Sequence, residues 1–231
     1  MKAPDESLQD KLLDAALIHV PFDGWTDAAF TAAAEDIGMD AATAKTIFPR
    51  GPVDLALAYH ARGDQAMVDR LNSEDLSTLK FREKIAAAVR FRLEAVEDRE
   101  LVRRGSTLFS LPHHAPDGAR AVWQTCDRIW TELGDTSDDV NWYTKRATLA
   151  GVYTATVLYW LGDNSPDHAA TWSFLDRRIE DVMQIETLKA KVRDSAILKP
   201  LLAGPNWLAG QIKPPAKMPD LDLPGVLKPR K

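Results

Sequence analysis

The run from Ala147 to Gly162, ATLAGVYTATVLYWLG, holds sixteen residues without one charge, and it limits the possible folds more than any other stretch. A helix that is apolar on nearly every side must be covered on nearly every side, by lipid or by other helices. The run contains several threonines and falls short of the roughly 18 apolar residues a spanning helix needs. It therefore predicts a soluble bundle of several helices with this one inside.

The residues just before it, DDVNWYTKR, set the orientation of that helix. Asp138 or Asp139 suits its N-cap and the positive end of its dipole. Tyr143, Ala147, Ala150, Thr154, Val157 and Leu161 share one face, and Trp142, Arg146, Leu149, Tyr153, Thr156 and Trp160 share another. Ala147, Gly151 and Ala155 add a strip of small residues. Trp142, next to Asp139 and Lys145, has two readings: an aromatic anchor on a polar rim for a partner, or a plug on the end of the core.

The rest of the chain reads as helix, with almost no strand signal. A first helix is predicted from about Ser7 to Val20, stopping at Pro21. Thr26 caps DAAFTAAAEDI, Gly38 ends it, and Asp40 caps AATAKTIF, which gives a helix-turn-helix outline. A fourth helix covers Asp54 to Leu71. From Ser77, TLKFREKIAAAVRFRLEAVEDRELVRR is predicted as one long amphipathic helix. Others follow at Ala119–Leu133 and after Ser165, an N-cap with Pro166 at the first helical position. Half of the fourteen prolines lie in the last 36 residues. The chain divides into a helix-turn-helix region (1–72), a helical domain (73–195) and a basic, proline-rich tail (196–231). Its 231 residues, 45% apolar and 27% charged, suit one large or two small soluble domains with a real core. A single cysteine, Cys126, excludes an internal disulfide framework.

No constellation of catalytic residues stands out. The five histidines sit in no HExxH or ExxH arrangement, and His113-His114 reads as a solvated loop. GxSxG, P-loop and GxGxxG signatures are absent. Cys126 among Val122, Ile129 and Trp130 reads as a small core residue. The carboxylates are expected on solvated helix faces. DNA binding is opposed by charge: residues 1–72 hold six Lys/Arg against twelve Asp/Glu, a net of −6, and the recognition helix offers only Lys45, with Arg50 just past it. The stretch Lys189–Lys231 holds nine Lys/Arg against three Asp. There Leu201, Leu202, Trp207, Leu208 and Ile212 among lysines describe either a membrane-docking segment or a last packed helix, with Pro200 and Pro205 interrupting any continuous one.

Taken in order, AALIHVPFDGWTDAAFTAAAEDIG, FPRGPVDL, LKFREKIAAAVRFRLE, VNWYTKRATLAGVYTATVLYWLGDNSP and TWSFLDRRIEDVM resemble the lipid-binding accessory family of ubiquinone biosynthesis, the ninth of the coenzyme Q series. The likeness runs from about Leu12 to Val192. It implies an all-α, TetR-like fold, a homodimer, and a non-enzymatic protein with no cofactor other than a bound isoprenoid lipid or quinone intermediate. It also implies that this cargo is presented to the di-iron demethoxyubiquinone hydroxylase. The family's partner patch falls on Trp142 and Tyr143, with Asp139, Lys145 and Arg146 at or beside it. Helix faces nominate Phe91, Val152, Val157, Leu158 and Leu161 as cavity wall. A membrane-docking helix, a family feature, maps to Leu201–Ile212, where prolines interrupt it. The acidic N-terminus carries neither a secretory signal nor a transit peptide. That points to a bacterial protein on the cytoplasmic face of the inner membrane, or to a processed mitochondrial form on the matrix side. The alternative is a TetR-like regulator that binds ligand and DNA; a weaker third is an enzyme with its own di-iron or flavin site.

Overall fold

A computed structural model of the chain describes the backbone of residues 7–194 and the side chains of residues 7–184. Among the described residues every regular element is a helix. Helices α1 (Leu8–Asp23), α2 (Asp27–Asp36) and α3 (Ala41–Ile47) each begin on a side-chain cap: Ser7, Thr26 and Asp40 accept from the amides of Asp10, Ala29 and Thr43. Gly38, at φ 65°, follows α2 and lets the Met39 amide reach back to Ala34 O at 2.8 Å. That left-handed residue closes the helix as predicted.

Pro21 does not stop the first helix; it lies in the last turn of α1. The end comes at Gly24, at φ 72°, whose amide donates to Val20 O. Arg104 supplies the missing donors, its Nη2 lying 3.2 Å from Pro21 O and 3.4 Å from Phe22 O. These are the orphan carbonyls of the last turn, and proline so near the end removes only one intrahelical bond, the one to Leu17 O.

Two apolar cores result. The first joins α1, α2 and α3 through Leu12, Ala16, Phe30, Ala33 and Phe48. The second joins Met67, Val89, Ile129, Leu149, Tyr153, Trp160 and Leu175. Helix α4 (Pro52–Ser73) serves both, giving Leu55 and Ala56 to the first and Met67, Val68 and Leu71 to the second. The long helix predicted from Ser77 is in fact two, α5 (Phe81–Glu94) and α6 (Arg99–Ser110). Asp98 restarts the chain by accepting from the Glu100 amide at 2.8 Å. The break sends Leu93 into the second core and Leu101 into the first. One straight helix faces one way.

Helix α6 also carries a row of arginines onto two helix ends. Arg104 reaches the end of α1. Arg99 Nη1 donates to Asp163 O at 2.6 Å and Trp160 O at 3.3 Å, and Arg103 Nη2 to Leu161 O at 2.8 Å. These carbonyls end α8 (Val140–Gly162), which follows α7 (Ala115–Glu132). A guanidinium on a helix C-terminus satisfies orphan carbonyls and complements the dipole. A 3-10 turn, Pro166–His168, then precedes α9 (Ala169–Asp194). Ser165 caps later than expected, its hydroxyl accepting from Ala170 at 3.0 Å, and Asp163 shares the work by accepting from Thr171 N at 2.9 Å.

Helix α8 is not wrapped on all sides. Its buried stripe is Arg146, Leu149, Val152, Tyr153, Thr156, Trp160 and Leu161, while Ala147, Gly151, Thr154 and Leu158 are exposed. The small residues that make the run look uniformly apolar form an open side.

Candidate functional site

The start of α8 lies between two surfaces. Asp139 caps the helix by accepting from Asn141 N at 2.8 Å, and the next turns project aromatics to one side and polar groups to the other. On the aromatic side Trp142 and Tyr143 meet edge to face at a centroid distance of 4.8 Å. Trp123 of α7 stands 5.9 Å from Trp142 and 6.4 Å from Tyr143. All three rings are half-buried. The three aromatics form a cluster that is held but not enclosed. Trp142 rests on a packed base and keeps a face open.

Arg146 is not part of that open face, contrary to its placement in the partner patch. Its side chain is only 2% exposed. The guanidinium lies 4.0 Å from the Trp142 ring and donates to Asp127 Oδ1, to Asp135 Oδ2 at 2.9 Å and to Trp142 O at 3.1 Å. It sits beneath the patch and fixes the tryptophan. Lys145 bonds Asp135 Oδ1 at 2.7 Å and Ser137 Oγ at 2.6 Å. Burial pushes the Asp135 carboxyl up, but donors from Lys145, Ser137 and Arg146 outweigh it and hold the group well below the usual carboxylate range.

On the other side of α8 a cleft of about 480 Å³ opens, within the range of small-molecule sites. Ile85, Leu149, Val152, Ile179, Val182 and Met183 form its apolar surface, and Phe81 leans on Trp130 at 5.5 Å beside them. Lys80, Arg82, Asn141, Thr144, Lys145 and Thr148 supply polar groups. The walls come from α5, α7, α8 and α9. Of the five residues nominated from helix faces, Val152 lines this cleft and the other four do not. Phe91 is buried in the second core with the Arg70 guanidinium 3.9 Å from its ring. Leu161 is a core residue, Val157 packs on the same core, and Leu158 is 61% exposed. Helix faces assigned from one strand of sequence cannot separate core from cleft, because both are apolar. Leu201, Leu202, Trp207, Leu208 and Ile212 lie outside the described residues.

Buried acids are the other surprise, since carboxylates were expected on solvated faces. Asp64, Asp135 and Asp163 are all sequestered. Asp64 accepts from Arg92 Nε at 2.7 Å and from the Thr125 hydroxyl at 2.9 Å. That hydroxyl, its proton given to the carboxylate, accepts from His60 Nε2 at 2.7 Å. Burial pushes the His60 imidazole down to about 4, so it is neutral at pH 7. The Thr171 hydroxyl, then Ser165, hold the Asp163 carboxyl well below its ordinary range. Each acid has a structural partner and none faces the apolar cleft. Cys126 is in the core as expected, and burial pushes its thiol up to about 12. It is no nucleophile at neutral pH. Among the residues described, no three His, Cys, Asp or Glu gather to hold a metal.

Sequence reasoning missed Trp123 in the patch and Phe81, Trp130, Ile179 and Met183 in the cleft. Their only signal was helical spacing on faces that also serve a core.

Comparison with known proteins bears on the same region. Residues 115–186 match the COQ9 family model. The chain is 31% identical over 201 residues to the ubiquinone biosynthesis protein COQ9, mitochondrial, of Bos taurus, covering 83% of this chain and 62% of that protein. The chain is similar to the COQ9 proteins over most of its length. Against the Xenopus tropicalis COQ9 protein the identity is 34% over 194 residues, 79% of this chain and 60% of that one. The Drosophila melanogaster protein gives 33% over 195 residues, 81% and 59%. The chain therefore spans a little under two thirds of the COQ9 proteins it matches. The COQ9 window contains Trp123, Trp142, Tyr143, Arg146 and the α8 and α9 walls of the cleft. A solved TetR transcriptional regulator from Nitrosomonas europaea superimposes with a TM-score of 0.62 at 19% identity, covering 75% of this chain and 96% of that one. The fold of this chain is therefore TetR-like, as the family resemblance implied.

Proposed function

We propose that this chain is a non-enzymatic accessory protein of ubiquinone biosynthesis that binds an isoprenoid quinone intermediate and presents it to the di-iron demethoxyubiquinone hydroxylase. The observation that carries the reading is the placement of the apolar cleft and the aromatic patch on opposite sides of the first turns of α8. Returning a polyprenyl tail from a bilayer to water costs about 0.8 kcal/mol per CH₂. An apolar cleft offsets that cost, and an enzyme docked on the adjoining patch stands near its mouth. The names of the COQ9 relatives supply the pathway and, for those proteins, the mitochondrial setting. No helix among the described residues is long and apolar enough to cross a membrane, so the proposed meeting with lipid is at a surface.

DNA binding has less support. Lys45 lies 3.6 Å from Asp27 and Arg50 is paired with Asp54 and Asp117. The two cations available to the recognition helix are already neutralised at home, in a region of net −6.

Replacing Trp142 and Tyr143 together by Ala tests the docking surface. Recovery of the hydroxylase in a pull-down should fall by roughly tenfold or more, as for anchor residues worth about 2 kcal/mol. The melting temperature should move by no more than a few degrees. Unchanged recovery, or a collapse of the fold, removes the proposal.

A further inference from the structure

Polar groups in the apolar cleft are few, and most are already engaged. The Asn141 amide donates to Asp139 Oδ2 at 2.8 Å, the Thr144 hydroxyl to Asn141 O at 3.3 Å, and the Lys145 ammonium to Asp135 and Ser137. Lys80 and Arg82 are exposed, so water solvates their charges. Two groups are left over. The Trp130 indole nitrogen is closed to solvent and has no hydrogen-bond partner, in a residue only 9% exposed. The hydroxyl of Thr148, a half-buried residue, makes no hydrogen bond among the described residues either. Both residues line the cleft. Trp25, just as deep in the other core, gives its N–H to Leu101 O at 3.1 Å. A buried donor nearly always has an acceptor, and leaving one without is costly.

We propose that the Trp130 indole N–H is the donor that reads an uncharged ring oxygen of the cargo, with the Thr148 hydroxyl as a second contact. This rests on the reading of the cleft as a quinone site and adds where the ring lies and how it is told from a plain hydrocarbon. An indole N–H only donates, a hydroxyl donates or accepts, and neither bears a charge. The group that suits them is a neutral acceptor such as a quinone carbonyl, with the tail along Ile85, Leu149, Val152 and Ile179. Because the indole nitrogen is closed to solvent, the incoming ring must take the place of the Phe81 side chain, which leans on Trp130 at 5.5 Å. A few placed polar groups in an apolar pocket fix a ligand's orientation. A site built to bond an oxygen also disfavours the analogue that lacks it.

The test titrates two probes into the full chain, a decyl-benzoquinone and decylbenzene, which differ only in the two ring carbonyls. Trp130→Phe should weaken the quinone by about tenfold and leave decylbenzene within about twofold. Thr148→Val, which removes only the hydroxyl, should weaken the quinone by a smaller factor and spare decylbenzene. Thr148→Trp, which fills the cleft, should weaken both. A second readout needs no variant: in the nitrogen-15 spectrum of wild type the assigned Trp130 indole N–H should move downfield with the quinone and not with decylbenzene. That readout decides the matter even if Trp130→Phe fails to fold. A quinone affinity indifferent to Trp130→Phe, an equal loss for both probes, or a Trp130 signal that the quinone leaves in place overturns the inference while leaving a lipid site intact. Failure of both probes to bind wild type removes the lipid reading as well.

Discussion

Arg146 sits at the edge of the uncharged run, yet its guanidinium is the most voluminous of the fully buried side chains among the described residues. It ties α8 to Asp127 of α7 and to Asp135 of the loop between the two helices, and it lies under the ring that forms the patch. Breaking a buried pair leaves an uncompensated charge and typically costs about 3–5 kcal/mol. Arg146→Ala should therefore lower the urea midpoint strongly, and Arg146→Lys should recover only part of the loss, since one ammonium cannot match the planar fork. A midpoint within experimental scatter of wild type would show that Asp135 is satisfied without it. Trp142 stood out as a large aromatic on a polar first turn, whereas Tyr143 entered the patch only through the family resemblance. The role of Arg146 was not legible, because its partners lie nineteen and eleven residues away and only the turn after α7 brings them together.

At the scale of elements, the legible parts are those governed by local chemistry. Thr26, Gly38 and Asp40 act where they were expected, each through one or two bonds to neighbouring amides. The division between α5 and α6 escaped because Ala95, Val96, Glu97 and Asp98 are all tolerable inside a helix; the break is imposed by two cores that need apolar residues in different directions. Its consequence is the arginine row of α6, which ends two other helices. Arg99→Ala removes donors from Trp160 O and Asp163 O. Charge-assisted bonds of this kind contribute about 1.5–3 kcal/mol. The variant should unfold at lower urea with an unchanged slope. A midpoint equal to that of wild type would mean that water caps α8 equally well.

For the whole molecule, the fold class followed from the sequence because a helix that needs covering, with capped helices on either side of it, leaves few architectures. The cleft did not follow, since it is assembled from α5, α7, α8 and α9 and each contributes residues that elsewhere on the same helix fill the core. The buried polar groups give the molecule a characteristic response to acid. His60 titrates near 4 in the fold against about 6.5 in an open chain, so the unfolded chain takes up its proton first. That contribution is complete above pH 6.5, is lost between about 6.5 and 4, and is on the order of 3 kcal/mol. Asp135 and Asp163, held below the usual range near 3.9, add a second loss only as pH falls through and below 4. Chemical denaturation at a series of pH values should show both legs, and His60→Gln should erase the upper one alone. A wild-type stability that is flat from pH 7 to 4 would contradict a half-buried imidazole held neutral.

The account turns on the cleft beside α8 holding an apolar molecule. The direct measurement is organic extraction of the purified full chain followed by mass spectrometry, with the Thr148→Trp variant treated in parallel. Wild type should yield an isoprenoid or other single-chain lipid in near-stoichiometric amount, and the variant far less. Equal yields from the two proteins, or no apolar ligand from either, would contradict it.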